Sequence, residues 1–266
     1  MPLQAFLPLL SLMVLAYPVT PKAAAWLKPE GLLEIHYEHV RSSHNETFQG
    51  VHNDYKRETK QLYAEYGLSR KYTITYKNLT GMSGIGAQSE AAPFGLNEMT
   101  VRSALNLKNL KLLPLGIKPL WSLLSPSPPT RISVASIDLG FGEASNNGSY
   151  LITQVTGSEK IETTHTHPIS IFMEISINYQ KYQNSDQGLK ALSRLELGHR
   201  NYFLAYERLD GRFWGHSEFN EHFWFAELGI PLSKTIMLTV KRGHERTLPD
   251  VPRERANVLG LRLKIP

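Results

Sequence analysis

Apolar and polar side chains alternate one by one along most of this chain, and few folds accept that pattern. After Ile169, the residues Ile171, Met173, Ile175, Ile177 and Tyr179 interleave with Phe172, Glu174, Ser176, Asn178 and Gln180. Successive side chains of a strand point to opposite faces, so such a segment has one apolar and one polar face. The pattern recurs. Leu33, Ile35 and Tyr37 alternate with Glu34, His36 and Glu38, and Leu62, Ala64, Tyr66 and Leu68 with Gln61, Tyr63 and Glu65. Tyr72, Ile74 and Tyr76 alternate with Thr73, Thr75 and Lys77, and Leu189, Ala191, Leu195 and Leu197 with Lys190, Leu192, Arg194 and Glu196. Tyr202, Leu204 and Tyr206 oppose Phe203, Ala205 and Glu207; Ile236, Leu238 and Val240 oppose Met237, Thr239 and Lys241. Leu259, Leu261, Leu263 and Ile265 oppose Gly260, Arg262 and Lys264. Less regular strands are expected at 99–107, 131–141, 149–156 and 222–230. The phase of 131–141 changes after Val134, which predicts a bulge there. The expectation is about 12 strands of roughly 8–13 residues, near the length of a tilted barrel strand.

Composition leaves the solvent of those faces open. Hydrophobic residues are 41% of the 266, and mean hydropathy is -0.27. A barrel wall escapes hydropathy tests because only alternate residues meet lipid. Beyond the N-terminus, no run reaches the roughly 20 apolar residues of a spanning helix. With no cysteine, disulfide scaffolds, thiol nucleophiles and cysteine metal sites are excluded. The formal charge of +5 is spread along the chain. That spread suits a solvated mixed surface better than attraction to anionic lipid, and attraction to lipid better than nucleic-acid binding.

The first 25 residues read as an export signal. An apolar run at 5–17, interrupted by Pro8, is followed by Pro18, Pro21 and the small residues Ala23, Ala24 and Ala25 before Trp26. No Lys or Arg precedes the run, and a short helix packed on the domain is the alternative. The division expected is a signal peptide at 1–25 and a barrel at 26–266.

Links between strands are short at 67–71, 198–201 and 229–234, and longer and polar at 41–56, 80–97, 210–221 and 245–254. Alternation of short and long links is the habit of outer-membrane barrels, whose periplasmic turns are tight and whose external loops are long. The segment 110–130 breaks the rule, being rich in Leu and Pro, and reads as an insertion packed at the barrel mouth.

No water is available in a bilayer core, so backbone groups there must pair within the protein, and a closed barrel does this without an edge. The apolar faces then meet lipid, with Tyr72, Tyr76, Tyr179, Tyr202, Tyr206 and Trp224 suited to interfacial girdles. The polar faces line a lumen. They carry Glu34, Glu38, Glu65, Glu174, Glu196, Glu207 and Glu227 against Arg102, Lys190, Arg194, Lys241, Arg262 and Lys264. Charges of both signs in a narrow bore can pair across it and fill it.

The opening Trp26-Leu27-Lys28-Pro29-Glu30-Gly31, the stretch Glu65-Tyr66-Gly67-Leu68-Ser69, and the later Leu195-Glu196-Leu197-Gly198 and Ala226-Glu227-Leu228-Gly229 carry a resemblance. Together they resemble a family of poorly characterised outer-membrane β-barrel proteins of proteobacteria. The resemblance implies an even-stranded barrel with periplasmic termini, and implies no activity. Its natural partners are outer-membrane lipids and the barrel assembly machinery. Such barrels usually end in an aromatic residue, whereas this chain ends in Ile265-Pro266.

Catalytic and metal-binding patterns are thin. His216 and Ser217 sit in an expected external loop and resemble the His/Ser pair of barrel lipid hydrolases, but adjacent residues of a strand face opposite ways. His165 and His167 share a face if extended, with Glu162 as a third candidate ligand. Gly84-Ile85-Gly86 lacks the strand-to-helix context of a phosphate loop. The expectation is an all-β, antiparallel transmembrane barrel without cofactor, metal or enzymatic activity, structural or weakly conducting. The alternatives are a soluble periplasmic β-protein that binds a ligand or partner, and an outer-membrane lipid hydrolase using His216 and Ser217.

Overall fold

The computed structural model describes residues 27–48, 51–85, 92–105, 130–145, 148–162, 169–199, 202–215, 219–246 and 254–265. Among them are twelve strands: β1 (Leu33–Phe48), β2 (Val51–Ser69), β3 (Tyr72–Ile85), β4 (Ala92–Leu105), β5 (Thr130–Ala144) and β6 (Gly148–Glu162), then β7 (Ile169–Tyr182), β8 (Gln187–His199), β9 (Tyr202–Trp214), β10 (Phe219–Pro231), β11 (Ile236–Arg246) and β12 (Glu254–Ile265). Each pairs antiparallel with its sequence neighbours, and β12 closes on β1 from Leu33↔Ile265 to Ser43↔Arg255. The all-β, twelve-stranded antiparallel barrel anticipated from alternation is the fold.

Pairing is staggered. From Leu33 at the base of β1, successive partners run Tyr66, Ile74, Val101, Leu139, Thr153, Tyr179, Leu189, Arg212 and Asn220. A row that begins at one rim therefore ends at the other, as closure of tilted strands requires. The ends of β2, β8 and β10, the start of β1 and the end of β12 lie at one rim, taken as periplasmic because barrel termini and tight turns gather there.

The distribution of side chains is inverted relative to a water-soluble protein. Leu204, Leu259 and Leu197 on the outer face are 57%, 56% and 51% exposed, whereas Glu34, Asp138 and Glu227 on the inner face are 5%, 3% and 2% exposed. A soluble sandwich would bury the former and solvate the latter. Tyr37, Tyr66, Tyr76, Tyr202, Tyr206 and Trp224 also face outward and exposed, in the manner of interfacial aromatics. Ala135, Glu159, Ile161 and Ile171 depart from the pattern: they sit on the outer face near the periplasmic ends of β5–β7 and are buried. Glu159 is ion-paired with Arg131 there.

Three expectations need correction. The seven strands β1–β7 are longer than 8–13 residues, from 14 in β3 to 19 in β2, whereas β8–β12 fall within that range at 11 to 13. The polar links at 41–56 and 80–97 are mostly strand: β1 and β2 remain paired up to Phe48↔Val51, and β3 and β4 up to Ser83↔Ala92. That at 210–221 is largely strand as well, so links at the two rims do not alternate between short and long as expected; most of 245–254 lies outside the described residues. Above the apolar band both faces of a strand meet water, so alternation vanishes while the hydrogen-bond ladder continues. Third, β5 pairs with β4 and β6 without a shift. The register irregularity lies between Gly67 and Ser69, where Leu68 is the extra residue opposite β3. What looked like a phase change is an outer face that begins with Arg131 and Ser133 and continues with Ile137, Leu139 and Phe141.

The signal segment at 1–25 and most of the insertion at 110–130 lie outside the described residues.

Candidate functional site

The inner wall encloses a cavity of about 930 Å³. Glu34, Glu38, Glu65, Arg102, Glu174, Arg194, Glu196, Glu207, Glu227, Lys241, Arg262 and Lys264 all line it. Their positions follow from strand alternation, and their contacts sort them into tiers.

The lowest tier surrounds a turn that precedes β1. Leu27 is buried against Ala104, and the amide of Leu32 donates to the Pro29 carbonyl at 3.0 Å. Gly31 donates to the Gly67 carbonyl at 2.9 Å, and Gly67 to the Leu32 carbonyl at 3.0 Å. A Cβ on Gly67 would stand 1.9 Å from the Pro29 carbonyl oxygen, so only glycine admits the turn here. The turn carries Lys28 inward, where Nζ lies 2.5 Å from Glu34 and 2.8 Å from Glu65.

Beside it, Arg102 on β4 reaches both neighbouring sides. Its Nε lies 2.9 Å from Asp138 Oδ1 and its Nη2 3.0 Å from Oδ2, while Nη1 donates to Glu65 at 2.9 Å. The planar guanidinium suits this forked contact as an ammonium would not. Tyr63 donates to Glu65 at 2.8 Å. Arg262 Nε donates to His36 Nδ1 at 3.2 Å. With Nδ1 accepting, His36 carries its proton on Nε2, which is 2.8 Å from Glu34.

On the opposite wall Arg194 of β8 contacts Glu196 at 3.0 Å, Glu207 of β9 at 3.1 Å and Glu227 of β10 at 2.6 Å. Lys241 of β11 contacts Glu38 of β1 at 2.8 Å and Glu227 at 3.9 Å. That bridge passes over β12, and Gly260 makes room for it: a Cβ there would lie 3.2 Å from the Glu38 side chain. The Phe203 ring sits beneath the cations, its centroid 5.4 Å from Arg194 and 5.6 Å from Arg262. Glu174, paired in register with Arg194, accepts from Ser158 at 3.0 Å.

The external tier holds Glu98, 2.7 Å from the Tyr150 hydroxyl and 3.7 Å from Lys77. It also holds Lys190, 2.9 Å from Glu221 and 5.0 Å from the Phe213 ring centroid. Tyr150 packs on Tyr182 at 4.6 Å between centroids.

Several lining groups are missing from the sequence-derived set: Lys28, His36, Lys77, Glu98, Asp138 and Glu221. Asp138 falls after the supposed phase change, and Glu98 just before the expected start of its strand; a correct phase would have found both. A second feature has no single-residue signal. Inward aromatic rings cover glycines on the adjacent strand: Phe203 over Gly229, Phe213 over Gly188, Tyr150 over Gly142 and Phe94 over Gly81. Each ring occupies the space a second side chain would need, and it shields the bare backbone.

His36 is the one lining histidine among the described residues, tied to Glu34 and Arg262. His216, Ser217, His165, His167 and Gly86 lie outside the described residues. Among the described residues no group of three His, Asp or Glu side chains is placed to hold a metal ion.

No protein-family model matches this chain, and no curated protein matches it either. Solved structures do. The COG4313 outer membrane channel from Pseudomonas putida F1 superposes with a TM-score of 0.54 at 9% identity, over 93% of this chain and 100% of that one. The NanC porin gives 0.52 at 9% identity, over 88% of this chain and 100% of that one. These likenesses show the fold, a closed barrel of the outer-membrane type.

Proposed function

We propose that this chain resides in the bacterial outer membrane, as the family resemblance implies, and provides a narrow passive path for small solutes. On this reading it is a non-enzymatic barrel, exported through cleavage after Ala25. The observation that carries the proposal is the bracing of the bore. Arg194 joins carboxylates of three strands, Lys241 ties β1 to β10, and Arg102 ties β2 to β5. Long side chains that point inward and pair along the wall narrow the lumen. The remaining 930 Å³ runs from the periplasmic rim to the level of Val40, Glu98 and Glu221, which suits a file of small solutes and not a wide water column.

Selectivity follows from the lining. Ten acidic and ten basic side chains line the cavity, so no single sign dominates from rim to rim. The middle leans acidic, because Glu34, Glu38, Glu65, Asp138, Glu174, Glu196, Glu207 and Glu227 face only Lys28, Arg102, Arg194, Lys241 and Arg262. Lys160, Lys234 and Lys264 offset this toward the periplasmic rim. A slight preference for cations is the expected result.

Proteoliposome swelling tests the path. Solutes of the size of urea and glycine should enter, and trisaccharides should not; free entry of a trisaccharide would refute the braced bore. Placement is tested separately. The mature protein should fractionate with outer membranes and resist alkaline carbonate, and recovery of folded protein in the soluble periplasm would refute residence in the membrane.

A further inference from the structure

The outer face of the barrel changes character abruptly at the external edge of its apolar band, and does so on one side only. Along β12 the outward residues run Ile265, Leu263, Leu261, Leu259, then Asn257 and Arg255; along β11 they run Ile236, Leu238, Val240, then Arg242 and His244. On β1 they run Ile35, Tyr37, His39 and Arg41. Among the described side chains, the outward cations above the band on β9, β11, β12, β1 and β2 are Arg208, Arg212, Arg242, Arg255, Arg41 and Lys60, all exposed. The outward acids there whose side chains are described are Asp210 and Glu58, and both are engaged. Asp210 is held by Arg208 at 2.7 Å and His222 at 2.9 Å, and Glu58 by His39 at 2.5 Å. Across the barrel, the corresponding positions carry one acid and one base, Glu143 and Lys181, among uncharged residues.

We propose that Arg41, Arg242 and Arg255 form a binding site for the phosphate-bearing headgroup of a glycolipid of the outer leaflet. Arg242, Asn257 and Arg41 are successive partners across β11, β12 and β1, and Arg255 stands one step further out, paired with His244 and Ser43. Strands lie about 4.8 Å apart, so the three guanidinium groups are based within roughly 10 Å of one another on a common face. Such a triangle matches a headgroup with more than one phosphate, since guanidinium groups bind phosphate oxygens in a fork. The aromatic edge beside it fixes the depth. Trp224 stacks on Tyr206 at 6.4 Å and meets the His244 ring, tilted, at 5.1 Å, at the boundary where interfacial rings settle. Acyl chains of the same lipid would lie on the leucines below. The inference rests on the outer-membrane placement above, and is independent of conduction.

The test uses the full mature protein in a neutral detergent, titrated with bis-phosphorylated hexa-acyl lipid A and followed by native mass spectrometry. The variant Arg41→Gln/Arg242→Gln/Arg255→Gln should bind roughly 100-fold more weakly, from about tenfold or less per charge. The variant Arg70→Gln/Lys71→Gln/Lys181→Gln, which removes as much charge elsewhere, should bind as the unaltered protein does. Dephosphorylated lipid A should bind both weakly, and high salt should weaken the phosphorylated lipid. Equal affinity of the unaltered and belt-substituted proteins would overturn the site. Competition by inorganic pyrophosphate at equal concentration would make it a free-anion site, and equal binding of phosphatidylglycerol would make it a generic anionic surface; either result overturns the assignment. Heat-modifiable migration of each sample confirms a closed barrel, and carbonate partition of the same variants reports membrane placement. A failure of lipid recognition is thereby distinguishable from a failure of the membrane reading.

Discussion

Arg102 and Leu195 illustrate the two environments that a residue of this wall can meet. Arg102 is fixed by Asp138 and Glu65 inside the bore. A buried ion pair adds little over a well-packed apolar substitute, but removal of one partner strands the other. Arg102→Leu is therefore expected to cost about 3–5 kcal/mol, and Arg102→Leu/Asp138→Leu should recover a large part of it in urea unfolding titrations into lipid vesicles. No recovery in the double variant would show that the pair does not act as a unit. Leu195, 48% exposed on the outer face, meets lipid. Leu195→Arg should cost roughly 2–4 kcal/mol near the middle of the membrane, while Glu196→Gln on the opposite face should change stability far less. Equal losses at both positions would contradict the assigned faces. At this scale the sequence is most legible: the parity of a residue within its strand reveals its face, as it does for Arg194 and Glu196. What parity cannot reveal is which charges meet. The Glu38–Lys241 contact crosses an intervening strand at a glycine, and that depends on closure.

Elements were harder to delimit than to detect. Eight of the twelve strands leave a clean alternating trace where they cross the apolar band and the other four a weaker one, and the trace fades above it. That is why 41–56 reads as a loop although β1 and β2 stay paired to Phe48↔Val51. The turn before β1 left a different kind of trace: Pro29, Gly31 and Gly67 are visible in sequence, but nothing there says that they pack on one another. Its role can be tested through Lys28, which is held by two carboxylates. Gly67→Ala should displace the turn, because its Cβ would overlap the Pro29 carbonyl. Lys28 should then react with an amine-directed reagent at the rate of exposed Lys71, as measured by peptide mass spectrometry. Continued protection of Lys28 in the variant would show that the turn does not depend on the glycine.

For the whole molecule, the central claim is that ion pairs from several strands brace a closed barrel and leave only a narrow path. Closure itself has a faint sequence trace, since two-faced strands in a bilayer must leave no unpaired edge, yet the β1–β12 seam joins residues from opposite ends of the chain. The inverted wall, with Leu204 outside and Glu227 inside, places the charges where they can govern passage. Single-channel recording in planar bilayers tests this most directly. The unaltered protein should show small openings with a slight cation preference. Arg194→Ala/Lys241→Ala should enlarge both conductance and cation preference, because two cations leave a lining that keeps its carboxylates. Large, stable and strongly ion-selective openings in the unaltered protein would contradict the braced bore.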